Sequence, residues 1–314
     1  MSKGRSCPNS YRINLNDIIS SESTHMDTIY VIGGLYGNFE ALKDIVKKKN
    51  IEEDRTGKKV SLIFNGDFNW FNSDSESFEF INNIVLNNLA IQGNVEAELS
   101  NPSENAGCGC AYPDYVTDDV VVNSNLIMDK MKECSKDFPE INMKLGLLSK
   151  FKKIKIGKLN ILILHGDVES IAGWKLSIDS MPDIGRQSEI LSNWFESTGV
   201  DVFSCSHTCT PFIQNFNKNI VINNGTAGMP NFKNSQFGVI TRISRCKSFI
   251  TPLYGTSVDD VFIDAIPVEW GAEWNSWFEK QWPKGSPAWN AYIERIKNGT
   301  EFELEKAIRI HNNK

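Results

Sequence analysis

A strand that runs into a loop and then into a helix is predicted by residues 28–42, TIYVIGGLYGNFEAL. Its first five residues form an apolar run rich in β-branched and aromatic side chains, which favours a buried strand. Asn38 is a good N-terminal cap, and apolar side chains follow it at helical spacing. In such a unit, the loop at the carboxyl end of the strand usually carries the chemistry. Here that loop reads GGLYG and offers almost no reactive group.

Strand and helix patterns continue to alternate through the first hundred residues. Each apolar strand run is separated from the next by an amphipathic helix pattern. Such alternation implies crossover connections and therefore parallel strands, which is the pattern of an α/β fold. The predicted strands lie at 28–33, 59–67 and 89–94, and the predicted helices lie at 38–49 and 76–88.

Strand patterns return in the second half of the chain. A hairpin is predicted across residues 151–167, with Gly157 and Lys158 at its turn. A helix near 186–197 leads into short strands separated by turn residues. We expect two sheets packed face to face, with helices outside them. These short predicted strands lie at 200–208, 219–225, 237–244 and 247–255.

The remaining segments define the domain organisation. Residues 1–27 are polar and irregular, and are predicted to form an N-terminal arm ahead of a domain spanning 28–256. Residues 100–148 interrupt the strand pattern and predict an inserted helical cap. Residues 257–314 hold five of the eight tryptophans, with aromatic side chains at helical spacing. This pattern favours a helical segment packed on the domain, and an exposed partner site is the alternative.

Composition excludes several classes of protein. The formal net charge is −6 without long blocks of like charge, which argues against a dedicated nucleic-acid surface. No apolar run reaches the length of a membrane span, and the N-terminus lacks the apolar stretch of a signal peptide. The seven cysteines are scattered and odd in number. We therefore expect reduced thiols in a cytoplasmic protein.

Polar side chains that can bind a metal follow the ends of four predicted strands. Asp67 and Asn94 end the second and third strand patterns, and His165 ends the hairpin pattern. His207 and Cys209 follow the next strand. The chain has only four histidines, so the position of two of them at strand ends is informative.

In their order and spacing, five short segments resemble the motifs of the calcineurin-like metallophosphoesterases. The family pattern runs D-x-H, G-D, G-N-H-[DE], H and G-H-x-H, each at a strand end. The corresponding segments within residues 28–245 are GLYGN, NGDFNW, GNVEAE, LHGD and SHTC. The resemblance implies a four-layer αββα sandwich. It also implies hydrolysis of a phosphate ester or anhydride with the help of a metal.

The departures from the family pattern fall on one of its two metal positions. Gly34 and Tyr36 stand where the first motif has aspartate and histidine, and Cys209 stands at the last histidine. The ligands of the other position are intact, so we expect one divalent transition metal (Mn, Fe or Zn), with a second metal doubtful. The residues predicted to be both catalytic and metal-binding are Asp67, Asn94, His165 and His207, with Cys209 as a further, soft metal ligand.

A further departure concerns the proton donor. Val95 stands where the family has a histidine thought to protonate the leaving group, and valine cannot do so. Glu96 and Tyr36 are candidate substitutes. The glycine-rich turn at 223–232 is expected to contact phosphate or to be purely structural. The predicted substrate-binding residues are Tyr36, Asn38, Glu96 and Gly225.

Simpler interpretations of these residues exist. Asp67 could cap a turn, and His165 and His207 could be hydrogen-bonded core histidines. Cys108 and Cys110 form a C-x-C pair, for which packing in a tight loop is favoured over zinc binding.

Two functions therefore stay open. One is a divergent phosphoesterase acting on a phosphorylated small molecule or another phosphoester, and the other is a non-catalytic relative that binds metal, phosphate or a partner protein.

Overall fold

A computed structural model describes residues 3–311 of the chain. Residues 1–2 of the predicted arm and residues 312–314 of the predicted C-terminal segment lie outside the described residues. The strands are β1 (Thr24–His25), β2 (Thr28–Ile32), β3 (Val60–Asn65), β4 (Leu89–Ile91), β5 (Phe151–Ile156), β6 (Leu159–Leu164), β7 (Val202–Cys205), β8 (Phe212–Phe216), β9 (Asn219–Asn223), β10 (Gly238–Ser244), β11 (Tyr254–Val258), β12 (Val261–Val268) and β13 (Ile308–Arg309).

Helices connect and cover these strands. Several begin at a residue whose side chain accepts a backbone N–H, as Asn38, Asp74 and Ser188 do. The helices are α1 (Leu15–Ser20), α2 (Phe39–Thr56), α3 (Ser75–Val85), α4 (Asn94–Ser100), α5 (Asp118–Ser135), α6 (Pro139–Gly146), α7 (Glu189–Thr198), α8 (Glu273–Gln281) and α9 (Pro287–Asn298).

The strands form two sheets. One has the order β11-β12-β10-β2-β3-β4, and its β2, β3 and β4 are parallel. The other has the order β1-β5-β6-β7-β9-β8-β13, and its β6, β7 and β9 are parallel. Parallel strands bring their carboxyl ends to one edge of a sheet. The loops after β3, β4, β6 and β7, which carry the predicted metal ligands, therefore start at two such edges.

The alternating faces of β2 show how the layers stack. Ile29 and Val31 point into the core between the two sheets. Tyr30 and Ile32 point the other way and pack under the helices with Leu42 of α2. On the outer side of the second sheet, α7 packs against β7 in the same manner. The architecture is therefore the αββα sandwich that the motif resemblance implied.

The segments outside the core differ in part from the expectation. Residues 3–27 are not wholly irregular, because they include α1, β1 and the fully buried Tyr11. Residues 100–148 contain α5 and α6, which pack on α4 and α9. No helix within residues 3–311 combines the length and the apolar character that crossing a membrane would need.

The boundary expected at residue 257 falls inside β11. The chain then continues as β12, which pairs with β10 over seven residue pairs, so the helical part begins only at α8. The strand expected at 247–255 is displaced to β11, and the strands β1, β8, β12 and β13 were not predicted. Trp274 and Trp282 of the C-terminal segment are buried in the cluster that also holds Leu42 and Phe71.

Candidate metal centre

Four side chains from the ends of four strands converge on one point. Asp67 follows β3, Asn94 is the first residue of α4 just after β4, His165 follows β6, and His207 follows β7. Metal-ligating atoms of the aspartate and the two histidines lie within 4.8 Å of one another. The fold thus brings together the four residues predicted to hold a metal.

The ring nitrogen Nε2 of His165 is the centre of this cluster. It lies 3.1 Å from Asp67 Oδ2 and 3.2 Å from Asn94 Oδ1. It also lies 3.3 Å from Nδ1 of His207. Two nitrogens and two oxygens therefore face one another at the pocket floor. We call these four residues the N2O2 cluster.

Backbone carbonyls fix the tautomers of both histidines. Nδ1 of His165 lies 2.7 Å from the carbonyl oxygen of Asn65, and Nε2 of His207 lies 3.1 Å from that of Cys110. A carbonyl oxygen only accepts hydrogen bonds, so each of these nitrogens carries the proton. The other nitrogen of each ring is left to present a lone pair to the cluster. This is the usual way in which a protein orients a histidine that binds a metal.

The two oxygen donors are oriented in the same way. The Nδ2 group of Asn94 donates to the Cys108 carbonyl at 3.1 Å, which turns Oδ1 toward the cluster. The backbone N–H of Val95 donates to Oδ1 of Asp67 at 3.0 Å, which leaves Oδ2 facing the histidines. Four acceptor atoms therefore face one another. No donor lies among them unless a proton or a metal ion is bound at this point.

The electrostatics of the cluster agree with this arrangement. Burial is the largest single influence and raises the pKa of Asp67, but the charge and hydrogen bond of His165, together with His207 and the Val95 N–H, bring the pKa below its ordinary value. Burial lowers the pKa of His165, yet Asp67 reverses the effect and the net shift is upward. Burial, together with repulsion from His165, lowers the pKa of His207 to about 4, so this ring is neutral at pH 7. These opposite shifts favour a proton at His165 beside the Asp67 carboxylate, and a metal ion at this point would compete with that proton.

Tyr36 and Cys209, which stand at motif positions where metal ligands were expected to be lost, contact each other. The Tyr36 hydroxyl oxygen lies 2.9 Å from Cys209 Sγ. A Cβ atom on Gly34 would lie only 2.6 Å from a carbon of the Tyr36 ring. The sulfur of Cys209, expected to be a soft ligand, is thus paired with Tyr36 and lies outside the group of metal-ligating atoms that contains Asp67.

The backbone around both positions has an unusual conformation. Tyr36, Asp67 and Cys209 have φ angles of 54°, 53° and 55°. This left-handed region is uncommon outside glycine, although asparagine, aspartate and histidine are enriched there. Strain of this kind is typical of ligand and active sites, because it holds a side chain in a fixed direction.

A small pocket of about 170 Å³ opens over the cluster. The part of its wall that comes from the insertion and from α9 was not predicted, because nothing in the local sequence of those segments points to a site. The lining residues are Tyr36, Asp67, Trp70, Val95, Cys110, Tyr112, Trp174, His207, Thr208, Cys209, Tyr292 and Arg295.

Asn38, expected to bind substrate, has a different role. Its Oδ1 accepts the Ala41 N–H at the start of α2, and its Nδ2 donates to the Gly228 carbonyl at 3.1 Å. The side chain is fully buried and does not line the pocket. The structure therefore assigns Asn38 to capping a helix and tying two loops together.

Glu96 is also turned away from the pocket. Its Oε2 accepts the backbone N–H groups of Asp67 at 2.7 Å and Gly93 at 3.2 Å. Its Oε1 accepts the backbone N–H and the side-chain amide of Asn69. Burial and the neighbouring Asp67 raise the pKa of Glu96 to about 7. Instead of contacting substrate, Glu96 holds the Asp67 loop in place.

Gly225 lies behind the first loop. Its φ is 61°, and a Cβ on Gly33 would lie 2.1 Å from the Gly225 carbonyl oxygen. The residue is absent from the pocket wall and permits close packing of two turns. Of the residues predicted to contact substrate, only Tyr36 lines the pocket.

Comparison with known proteins supports the fold. No protein-family model and no curated protein matches the chain. A hypothetical protein from Pyrococcus horikoshii is similar with a TM-score of 0.55 and 16% identity, over 87% of this chain and 99% of that one. A metallophosphoesterase from Sphaerobacter thermophilus is similar with a TM-score of 0.52 and 12% identity, over 89% of this chain and 100% of that one.

These similarities concern the fold. The chain has the metallophosphoesterase fold, and the resemblance drawn from five short motifs is confirmed at that level. Within this fold it carries a possible Asp/His/His metal site at the expected strand ends.

Proposed function

We propose that the chain is a divergent metal-dependent phosphoesterase with a single metal site, and that it hydrolyses a phosphate ester or anhydride. The observation that carries this proposal is the N2O2 cluster, in which four acceptor atoms face one point and each is oriented by a second hydrogen bond. A proton on His165 Nε2 would satisfy Asp67, but one N–H cannot also serve Asn94 Oδ1 and His207 Nδ1, whereas a metal ion binds all of these atoms.

The cluster suits one Mn, Fe or Zn ion, because two imidazoles with two oxygens are common ligands for these metals. When bound, such an ion lowers the pKa of a coordinated water and polarises a phosphoryl oxygen. The chain's own residues orient the ligands: the carbonyls of Asn65 and Cys110 hold the imidazole rings, and the Val95 N–H holds Asp67.

The pocket restricts the proposed substrate. A volume of about 170 Å³ is below the roughly 300–1,000 Å³ of ordinary ligand pockets, which favours a phosphoryl group on a small molecule. Val95 provides no proton for the leaving group. We therefore expect a leaving group that departs without protonation. Separately, we propose the cytoplasm as the compartment of the protein.

A non-catalytic function is the second candidate. It is favoured by the contact between Tyr36 and Cys209, which pairs these two side chains with each other instead of leaving them free to bind a second metal. On this view the chain binds metal, phosphate or a partner protein without turnover.

Metal content and activity separate the two candidates. We expect elemental analysis of the purified protein to give close to one transition-metal ion per chain, and slow hydrolysis of an activated aryl phosphate. His207→Gln should abolish both, whereas His25→Gln, at an exposed histidine, should change neither. Two tightly bound ions would contradict the single-site proposal. One bound ion with no turnover would favour the non-catalytic function.

A further inference from the structure

Arg295 of α9 is an unexpected member of the pocket wall. Its Nε donates to the Pro230 carbonyl at 2.9 Å, which fixes the direction of the guanidinium. Its Nη2 is buried, and among residues 3–311 it has no hydrogen-bond partner. A guanidinium carries five N–H donors, and a buried donor without a partner is costly. The arrangement therefore indicates an acceptor that belongs to a ligand.

The charge of Arg295 is also uncompensated. No ion pair to a carboxylate involves this arginine within the described residues, whereas other buried cations such as Arg242 and Lys132 are paired. Of the described lysines and arginines, Arg295 alone lines the pocket over the N2O2 cluster. An anionic ligand in this pocket would supply both the missing charge and the missing acceptors.

The packing of α9 fixes the position of Arg295. Ile293 and Ile296, on either side of it, are buried in the core. One turn earlier, the Tyr292 ring packs edge-on against Phe71 with 5.0 Å between ring centroids. Just after the helix, Thr300 Oγ1 donates to the Asn231 carbonyl at 2.7 Å. The C-terminal segment therefore does more than pack on the domain, because it also holds the guanidinium of Arg295 over the N2O2 cluster.

We infer that Arg295 binds the phosphoryl group of the substrate and supplies positive charge at the side of the pocket where Gly34, Tyr36 and Cys209 have replaced the ligands of a second metal. Guanidinium matches phosphoryl oxygens bidentately, so it can neutralise charge that one metal ion leaves uncovered. This inference rests on the proposed phosphoesterase function and names its substrate-binding cation.

Titration calorimetry with inorganic phosphate tests the inference directly. We expect the wild-type protein to bind phosphate and Arg295→Gln to bind it roughly 10- to 100-fold more weakly, the loss expected for charged hydrogen bonds. Arg295→Lys keeps the charge without the fork and should fall in between. Lys297→Gln removes one exposed positive charge from the same helix and serves as the matched control.

The measurements are made with and without Mn²⁺, alongside the metal content of each variant. Equal phosphate affinity in wild type and Arg295→Gln, or no phosphate binding by the wild type, would overturn the inference. Should Arg295→Gln fail to fold, the difference between wild type and Arg295→Lys decides in the same way. If phosphate binding depends on Arg295 but no metal binds and no ester is hydrolysed, the proposed function fails, while Arg295 is still shown to be a phosphate-binding residue.

Discussion

Restoring the missing ligands tests whether this site lost only side chains. The change is Gly34→Asp, Tyr36→His and Cys209→His in one protein. Gly34 is not in the left-handed region, so its backbone accepts a side chain. Positions 36 and 209 have φ near 55°, a region in which histidine is enriched, so both histidines should fit their backbones.

The stability cost can be worked out from the contacts of Gly34. An added Cβ would lie 2.6 Å from Cε2 and 3.1 Å from Cδ2 of Tyr36, and 3.2 Å from the Asp67 carbonyl oxygen. Gly34→Asp alone should therefore cost about 1–3 kcal/mol of folding free energy through overpacking. Tyr36→His removes the ring carbon that clashes, so most of this cost should disappear when both changes are present. We expect a favourable coupling of about 1–2 kcal/mol between the two substitutions.

Two measurements test this prediction. Chemical denaturation of the wild type, both single variants and the double variant, in chelator, gives the coupling energy. Elemental analysis of the triple variant should then show two metal ions instead of one, with faster hydrolysis of an activated aryl phosphate. The matched control, Gly34→Ala with Tyr36→Ala and Cys209→Ala, also removes the clashing ring carbons but adds no ligand, and it should stay at one ion.

Substituting Arg295 in the triple variant adds a second test. If its charge replaces the lost cation, it should repel a second metal, and Arg295→Gln in the triple variant should tighten the second binding step. A folded triple variant that binds one ion or none, with or without Arg295→Gln, would refute the idea that only side chains were lost. The loop would then have been reshaped for another purpose.

Three further predictions concern the N2O2 cluster and its support. Asp67→Asn should weaken metal binding more than Cys209→Ser, and the reverse order in a metal titration would show that the metal lies at the other position. Glu96→Gln should destabilise the fold by about 2–6 kcal/mol in urea unfolding, because an amide nitrogen cannot accept the two N–H groups that one carboxylate oxygen accepts. Unchanged stability with lost activity would make Glu96 a reacting group instead. Removing metal with chelator should lower Tm by roughly ten degrees if the ion is present at about 1,000 times its Kd, a linkage of about 4 kcal/mol. In His207→Gln the chelator should have no effect, and an equal shift there would place the ion elsewhere.

Local patterns in the sequence determined the layered fold and located the four residues of the N2O2 cluster at strand ends. Strand and helix periodicities are short-range, so the ends of the strands could be located from the sequence. Parallel pairing brings those ends to one edge of each sheet, which places Asp67, Asn94, His165 and His207 at strand ends. The resemblance to the metallophosphoesterase motifs implied that these four side chains meet, and it also identified Gly34 and Tyr36 as positions of lost ligands.

Contacts between distant parts of the chain could be decided only by the tertiary structure. The tautomer of His165 depends on the carbonyl of Asn65, one hundred residues earlier, and the boundary of the C-terminal segment depends on the pairing of β12 with β10. Glu96 was expected to face the pocket, but the backbone N–H groups of the Asp67 loop take both of its oxygens. Arg295 enters the pocket because α9 packs on the aromatic core. No local pattern encodes that docking, since it results from the summed packing of residues far apart in sequence.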